Sequence, residues 1–241
     1  AKTEVSEDGQ ALVVHRFDVD DTGQPHWGME DFCALLGLRP AAKYDTTWER
    51  ITRAVRDHVP GARQRETFKG MAMTLLLTYA LRNADCHSKN LALLYTSRED
   101  VHLAPLYDML TTVVYEGYQH NPPGISFMGK KTWKPGRNLH QFISRTWGFG
   151  LREQSVMVEA LSDAISDTAP LVRAAMERHA GFRDVGKRML LAWSEGVAGL
   201  RDKRTYSLAE WKPGSAFHFP APPKLKTART VVGRSEGLGK R

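Results

Sequence analysis

The residues best suited to chemistry lie in one short polar run, Arg82-Asn83-Ala84-Asp85-Cys86-His87-Ser88-Lys89-Asn90, placed directly after the most hydrophobic stretch of the chain. A second acid, Asp108, follows Asn90 by eighteen residues. Phosphoryl transfer from a nucleotide needs an acceptor hydroxyl that is positioned and relieved of its proton, and divalent cations held against the phosphates by oxygen ligands. A carboxylate followed by an amide five positions on supplies both kinds of group from one loop: Asp85 beside the nucleophile, Asn90 on a metal. Magnesium keeps several waters and takes few protein oxygens, so Asn90 and Asp108 suffice as its ligands. Lys89 and His87 add two phosphate-compatible groups to the same six residues.

Two other uses of these residue types compete. Asp, Asn and His after a helix often act as caps and turn formers, with no chemistry attached. Adjacent Cys86 and His87 invite a cysteine-nucleophile or zinc reading, but there is no second ligand pair at metal-site spacing. The return of a carboxylate at Asp108 and the presence of His87 and Lys89 are what a mere turn does not require. Cys33 reads as a core thiol on its helix.

The elements that must position this loop can be read from periodicity. From about Gln64 to Leu81 the spacing is helical, and Met71 to Leu77 is apolar on nearly every side, the pattern of a helix buried all round. Two short strands, Leu91 to Tyr95 and Val101 to Leu106, form a hairpin that ends at Tyr107-Asp108. Upstream, Asp8-Gly9 and the run Ala11 to Phe17 predict an opening hairpin. Met29, Phe32, Cys33 and Leu36 recur as on a short helix closed by Gly37 and Pro40. A second helix carries Trp48, Ile51, Val55 and Val59, with Thr46 or Thr47 as N-cap and Pro60 as its stop. After a Gly/Pro loop at 119–124, helices are expected at 139–147, along the stripe Val158 to Met176 with Pro170 kinking or dividing it, and from Val185 to about Leu200. The fold class is mainly α with small β-hairpins.

Length and composition bound the rest. A chain of 241 residues is enough for one large domain or two small ones, and 41% hydrophobic with 25% charged residues is ordinary globular composition. No stretch reaches the roughly 18 consecutive apolar residues of a membrane span, and two cysteines with no leader sequence predict a cytoplasmic location. The formal charge of +7 is local: residues 203–241 hold nine Lys and Arg against Glu210 and Glu236, while the remainder balances 25 against 25. This basic, Pro-containing tail is either a solvated terminus or a contact for an anionic partner such as nucleic acid.

Taken together, Asn83-x-Asp85-x-His87-x-Lys89-Asn90, the later Pro105-Leu106-Tyr107-Asp108 and the earlier Val14-His15-Arg16-Phe17-Asp18 resemble the HipA-like serine/threonine kinases, a family that includes toxins of bacterial toxin-antitoxin pairs. The resemblance runs in order from about Leu12 to Leu200 and takes in Glu30-Asp31-Phe32-Cys33 and Lys43-Tyr44-Asp45. It implies that Asp85 is the proton acceptor, that Asn90 and Asp108 bind magnesium, and that His87, Ser88, Lys89 and Tyr107 stand beside the nucleotide. It further implies that His15, Arg16 and Phe17 form the hinge touching adenine. ATP and Mg are the implied cofactors. The implied partners are a protein substrate, with an aminoacyl-tRNA synthetase as one candidate target, an antitoxin, and DNA reached through the antitoxin complex; no membrane partner is implied.

The family fold pairs a small α/β lobe with a larger helical lobe, and this chain resembles the latter plus the hinge. On that resemblance, residues 1–20 are the hinge-side end of the small lobe, 21–202 the kinase C-lobe and 203–241 the tail. No glycine-rich loop precedes the catalytic run, and Lys2, Lys43 and Lys69 sit outside any convincing central strand. The expectation is therefore a C-terminal portion that binds magnesium-nucleotide weakly alone. Two alternatives remain at this level: a non-catalytic lobe that binds antitoxin or DNA, and a phosphoinositide-kinase-like enzyme, since D-x-H-x-x-N also occurs there.

Overall fold

The computed structural model describes residues 1–8, 11–134 and 136–201. Its centre is α3 (Gly61–Leu81), whose stretch from Met71 onward is apolar on nearly every side and so has to be covered all round, while Arg65, Glu66 and Lys69 nearer its start stay exposed. It is covered by α2 (Trp48–His58), α4 (Gly136–Trp147), α5 (Leu151–Arg178) and α6 (Arg183–Leu200), and by one strand of a small sheet. Met71, Ala72, Leu76 and Ala80 are fully buried along it. The buried hydroxyls of Thr74 and Thr78 donate back to the Gly70 and Thr74 carbonyls at 3.0 and 2.8 Å, which removes the cost of leaving them unpaired.

The neighbouring helices follow the sequence closely. Thr47 is the N-cap of α2, accepting from the Arg50 N–H at 3.2 Å, and Pro60 follows its end. Helix α5 runs unbroken through Pro170, so the expected division does not occur. Ile165, Ala169 and Val172 are buried on either side of the proline, and this packing outweighs the roughly 3 kcal/mol that an interior proline costs. Helix α6 lies flush against the C-terminal end of α3: a Cβ on Gly196 would stand 2.2 Å from the Ala80 carbonyl oxygen, so only glycine fits. That end of α3 feeds the polar run.

Among the described residues, two antiparallel sheets complete the fold. The opening hairpin pairs β1 (Thr3–Val5) with β2 (Leu12–Val14) in the register Thr3↔Val14 to Val5↔Leu12. The expected second hairpin is the pair β4 (Ala92–Tyr95) and β5 (Val101–Leu103), shorter at its far end than the sequence predicts. A third strand, β3 (Gly28–Asp31), joins it to give the order β3-β4-β5. Met29 therefore lies on a strand and not on the expected helix, which is reduced to α1 (Phe32–Leu35). The reason is the pairing with β4: Gly28 sits opposite Tyr95, whose ring would be 2.5 Å from any Cβ there, and Asp31 ends the strand by accepting from the Ala34 N–H to cap α1. No helix among the described residues is long and apolar enough to cross a membrane. The basic tail, the whole of the domain expected at 203–241, lies outside the described residues.

Candidate active site

Helix α3 stops at Arg82, which adopts a left-handed conformation (φ 57°) that costs a non-glycine residue about 1 kcal/mol. The turn is held from both sides. The Arg82 guanidinium stacks over Trp133 at 5.4 Å, and the Thr112 hydroxyl donates to the Arg82 carbonyl at 3.1 Å while accepting from the Ala84 N–H at 2.6 Å. Buried Asn83 accepts the Asp85 N–H at 3.0 Å. These bonds deliver Asp85, half-exposed, at the point where the chain leaves the core.

The following turn is fixed by Asn90. Its Oδ1 accepts the His87 N–H at 3.1 Å while its own N–H donates to the His87 carbonyl at 2.9 Å, so the amide side chain is locked in place. Its Nδ2 then donates to Asp108 Oδ2. The β4–β5 pair thus returns Asp108 to the loop from which it started. Asp108 itself is left-handed (φ 54°), a conformation Asp tolerates better than most residues. Tyr107 beside it donates to the Lys89 carbonyl at 2.8 Å, a second tie between the two segments.

A third segment completes the site. The Ser88 N–H and hydroxyl both donate to the Lys43 carbonyl, at 3.1 and 2.8 Å, which brings Tyr44 over the loop. The Tyr44 hydroxyl donates to Asp85 Oδ1, and its ring meets His87 edge-on at 5.1 Å between centroids. Burial and the neighbouring Asp85 carboxylate push the Tyr44 phenol up, so it remains a donor. Burial, helped by the Lys43 ammonium and opposed by Asp85 and Asp108, holds His87 below the usual imidazole range. A neutral ring therefore lies 3.8 Å from Asp85. Burial also raises the Cys86 thiol to about 11, which argues against a thiolate nucleophile. Among the described residues no group of three or more His, Cys, Asp or Glu side chains is placed to hold a metal, so the zinc reading has no support.

The donor set does suit a magnesium ion. Asn90 Oδ1 spends one lone pair on His87 and keeps the other, and Asp108 is exposed enough to take a hydrated cation. Asp85 also opens onto a cavity of about 690 Å³, which Asn90 and Asp108 do not line. Its far wall is the segment Leu110 to Gly124. Gly124 packs backbone to backbone against the loop, since a Cβ there would stand 2.2 Å from the Cys86 carbonyl oxygen.

The candidate residues divide into two groups. Asp85, His87, Asn90 and Asp108 converge, with Ser88, Lys89 and Tyr107 tying the segments together. Phe17 reaches this group through Tyr107, at 5.7 Å between rings. The side chains of His15 and Arg16 instead turn to near neighbours, His15 to Glu4 at 3.2 Å and Arg16 to Asp18 at 2.9 Å. The contacts of Tyr44, Thr112 and Gly124 were not foreseen. The Lys43-Tyr44-Asp45 triplet between two predicted helices was the only signal for the first.

The model of the HipA-like C-terminal domain matches residues 1–175. The chain belongs to this family. Within it, the HipA-like chain is 34% identical over 108 residues to a Sinorhizobium fredii protein named "Putative kinase Y4dM", a match covering 44% of this chain and 25% of that protein. A second protein of the same organism, Y4mE, is 34% identical over 111 residues, covering 43% and 26%. Among solved structures, the Shewanella oneidensis MR-1 toxin-antitoxin complex of HipA, HipB and operator DNA contains a chain that superposes with a TM-score of 0.61 at 17% identity. That match covers 86% of this chain and 52% of the other. At that identity the likeness is one of fold, and it is a kinase-like one. The HipA-like chain thus spans about half of its structural relative, and its matches span about a quarter of its curated relatives.

Proposed function

We propose that this HipA-like chain is the helical part of an ATP-dependent kinase that phosphorylates a serine or threonine hydroxyl of a protein. Membership of a family whose relatives are named as kinases supports the coarse reading. The meeting of Asn90 with Asp108, five residues beyond Asp85 in the same rigid loop, carries the finer one. Bound magnesium would neutralise charge developing on the phosphates, with Asn90 and Asp108 as its protein ligands. Asp85 takes the proton of the acceptor hydroxyl as that oxygen bonds the γ-phosphorus and the β–γ bridging oxygen departs with ADP. His87, neutral and buried, keeps the loop closed without adding a positive charge that would hold Asp85 in a salt bridge. Ser88 spends its hydroxyl on Lys43 and so acts through the backbone it anchors, whereas Lys89, exposed at the rim, is free to meet phosphate. Phe17, stacked near Tyr107, offers the adenine-side surface.

The structural relative was solved with HipB and operator DNA, which supports an antitoxin partner here and DNA contact through it. An aminoacyl-tRNA synthetase as substrate and a cytoplasmic setting belong to the same proposal. The test is transfer of labelled γ-phosphate from ATP in the presence of magnesium by the full natural polypeptide, compared with its Asp85→Ala variant. Transfer that depends on Asp85 supports the reading, and equal transfer by both proteins overturns it.

A further inference from the structure

The cavity beside Asp85 has a chemistry of its own. Asp85 lines it, the metal-side pair does not, and the Tyr44 hydroxyl already donates to Asp85 from the cavity wall. An alcohol from that wall therefore occupies the position an acceptor alcohol has to take. Among the described residues the wall also carries two ammonium groups, Lys43 and Lys131, and Asp85 is its sole carboxylate. Among the described residues neither lysine forms an ion pair: Lys43 lies over the Tyr44 ring at 5.0 Å, and Lys131 reaches only the Tyr44 carbonyl at 3.4 Å. Tyr115 and Tyr118 stand about half exposed at the mouth, 49% and 55%. Rings of this kind cover an extended peptide at low entropic cost.

We propose that this cavity is the acceptor site for a protein segment with acidic side chains flanking the hydroxyl to be phosphorylated. The proposal rests on the kinase reading and goes further by naming the substrate class. Lys43 and Lys131 take the flanking carboxylates, the tyrosines cover the backbone, and the acceptor hydroxyl displaces Tyr44 from Asp85. Like-charged flanks would be repelled by the same lysines, so charge selects the segment.

The test is fluorescence anisotropy of three labelled serine peptides, with glutamate, alanine or lysine flanks, binding to the protein and to its Lys43→Gln/Lys131→Gln variant. Glutamine keeps the backbone carbonyl that Ser88 uses, and an unchanged melting temperature verifies the fold. The glutamate peptide should bind roughly tenfold more tightly than the lysine peptide at low salt, and the double variant should lose most of that preference. No preference, or a preference the double variant retains, overturns the proposal; the latter result points to the basic tail. Phosphotransfer by the full polypeptide that ignores flanking charge also overturns it and leaves the kinase reading standing. A charge preference in binding with no transfer to any peptide overturns the kinase reading and the acceptor role with it.

Discussion

Asn90 donates to Asp108, eighteen positions further along the chain, and the β4–β5 pair is the device that makes this possible. Antiparallel pairing returns the chain to its point of departure, so two oxygen-bearing side chains far apart in sequence meet beside Asp85. Because Asn90 is also bonded to both backbone groups of His87, its side chain is held in one orientation, with Oδ1 on the loop and Nδ2 toward Asp108.

Removing Asp108 should act on cation and nucleotide together. Hydrogen bonds and contacts to a charged group are worth about 1.5–3 kcal/mol. Asp108→Ala should therefore weaken magnesium-dependent ATP binding by roughly 10- to 100-fold, with little change in binding measured without magnesium. Calorimetric titration with and without magnesium checks this.

Asp85 should matter to the rate and little to nucleotide affinity. General-base assistance contributes typically ~10²- to 10⁴-fold, so Asp85→Ala should reduce single-turnover phosphotransfer by about that factor. A fall confined to KM for ATP would assign Asp85 to binding instead.

Gly124 and Gly199 make a matched pair for stability. A Cβ at position 124 meets the Cys86 carbonyl oxygen at 2.2 Å, whereas one at position 199 meets nothing within 4 Å. Gly124→Ala should cost about 1–3 kcal/mol through overpacking. Gly199→Ala, in an exposed stretch of α6, should stabilise by roughly 0.5–1 kcal/mol. Thermal unfolding should show the two melting temperatures moving in opposite directions.

The pH dependence of stability has a defined sign. His87 titrates below its unfolded value, which is about 6.5, because it is buried and near Lys43; His140 does so because it is buried and near Arg137. Between the folded and unfolded values the unfolded chain binds more protons, so this contribution is complete above the unfolded value and is lost as pH falls through the folded one. The melting temperature should drop from pH 7 toward pH 5, and His87→Gln should flatten that drop. A variant with the same slope as the parent would remove His87 from the account.

The sequence was informative where a residue's own type sets its surroundings. The unbroken apolar run of Met71 to Leu77 announces a helix buried on all sides, and Asp85 with Asn90 announces oxygen chemistry at the helix end. It was uninformative where a neighbour distant in sequence decides. Gly-Met-Glu-Asp at 28–31 has no strand-forming residues and becomes a strand because β4 lies open beside it. Tyr44 reaches Asp85 from 41 residues away, through a bond that Ser88 makes to the backbone of Lys43. Pro170 signals a break that the burial of Ala169 and Val172 overrides. Gly124 is an ordinary loop glycine until the Cys86 carbonyl is seen against it.

The full natural polypeptide carries the most direct test of the central claim, that Asn90 and Asp108 hold a cation next to an acid that serves an incoming alcohol. Transfer of labelled γ-phosphate to protein should be followed as magnesium is titrated, for the parent, Asp85→Ala and Asp108→Ala. The account predicts a magnesium requirement in the parent, a higher one in Asp108→Ala, and a low rate at saturating magnesium in Asp85→Ala. Parent-like rates and parent-like magnesium dependence in both variants would contradict it.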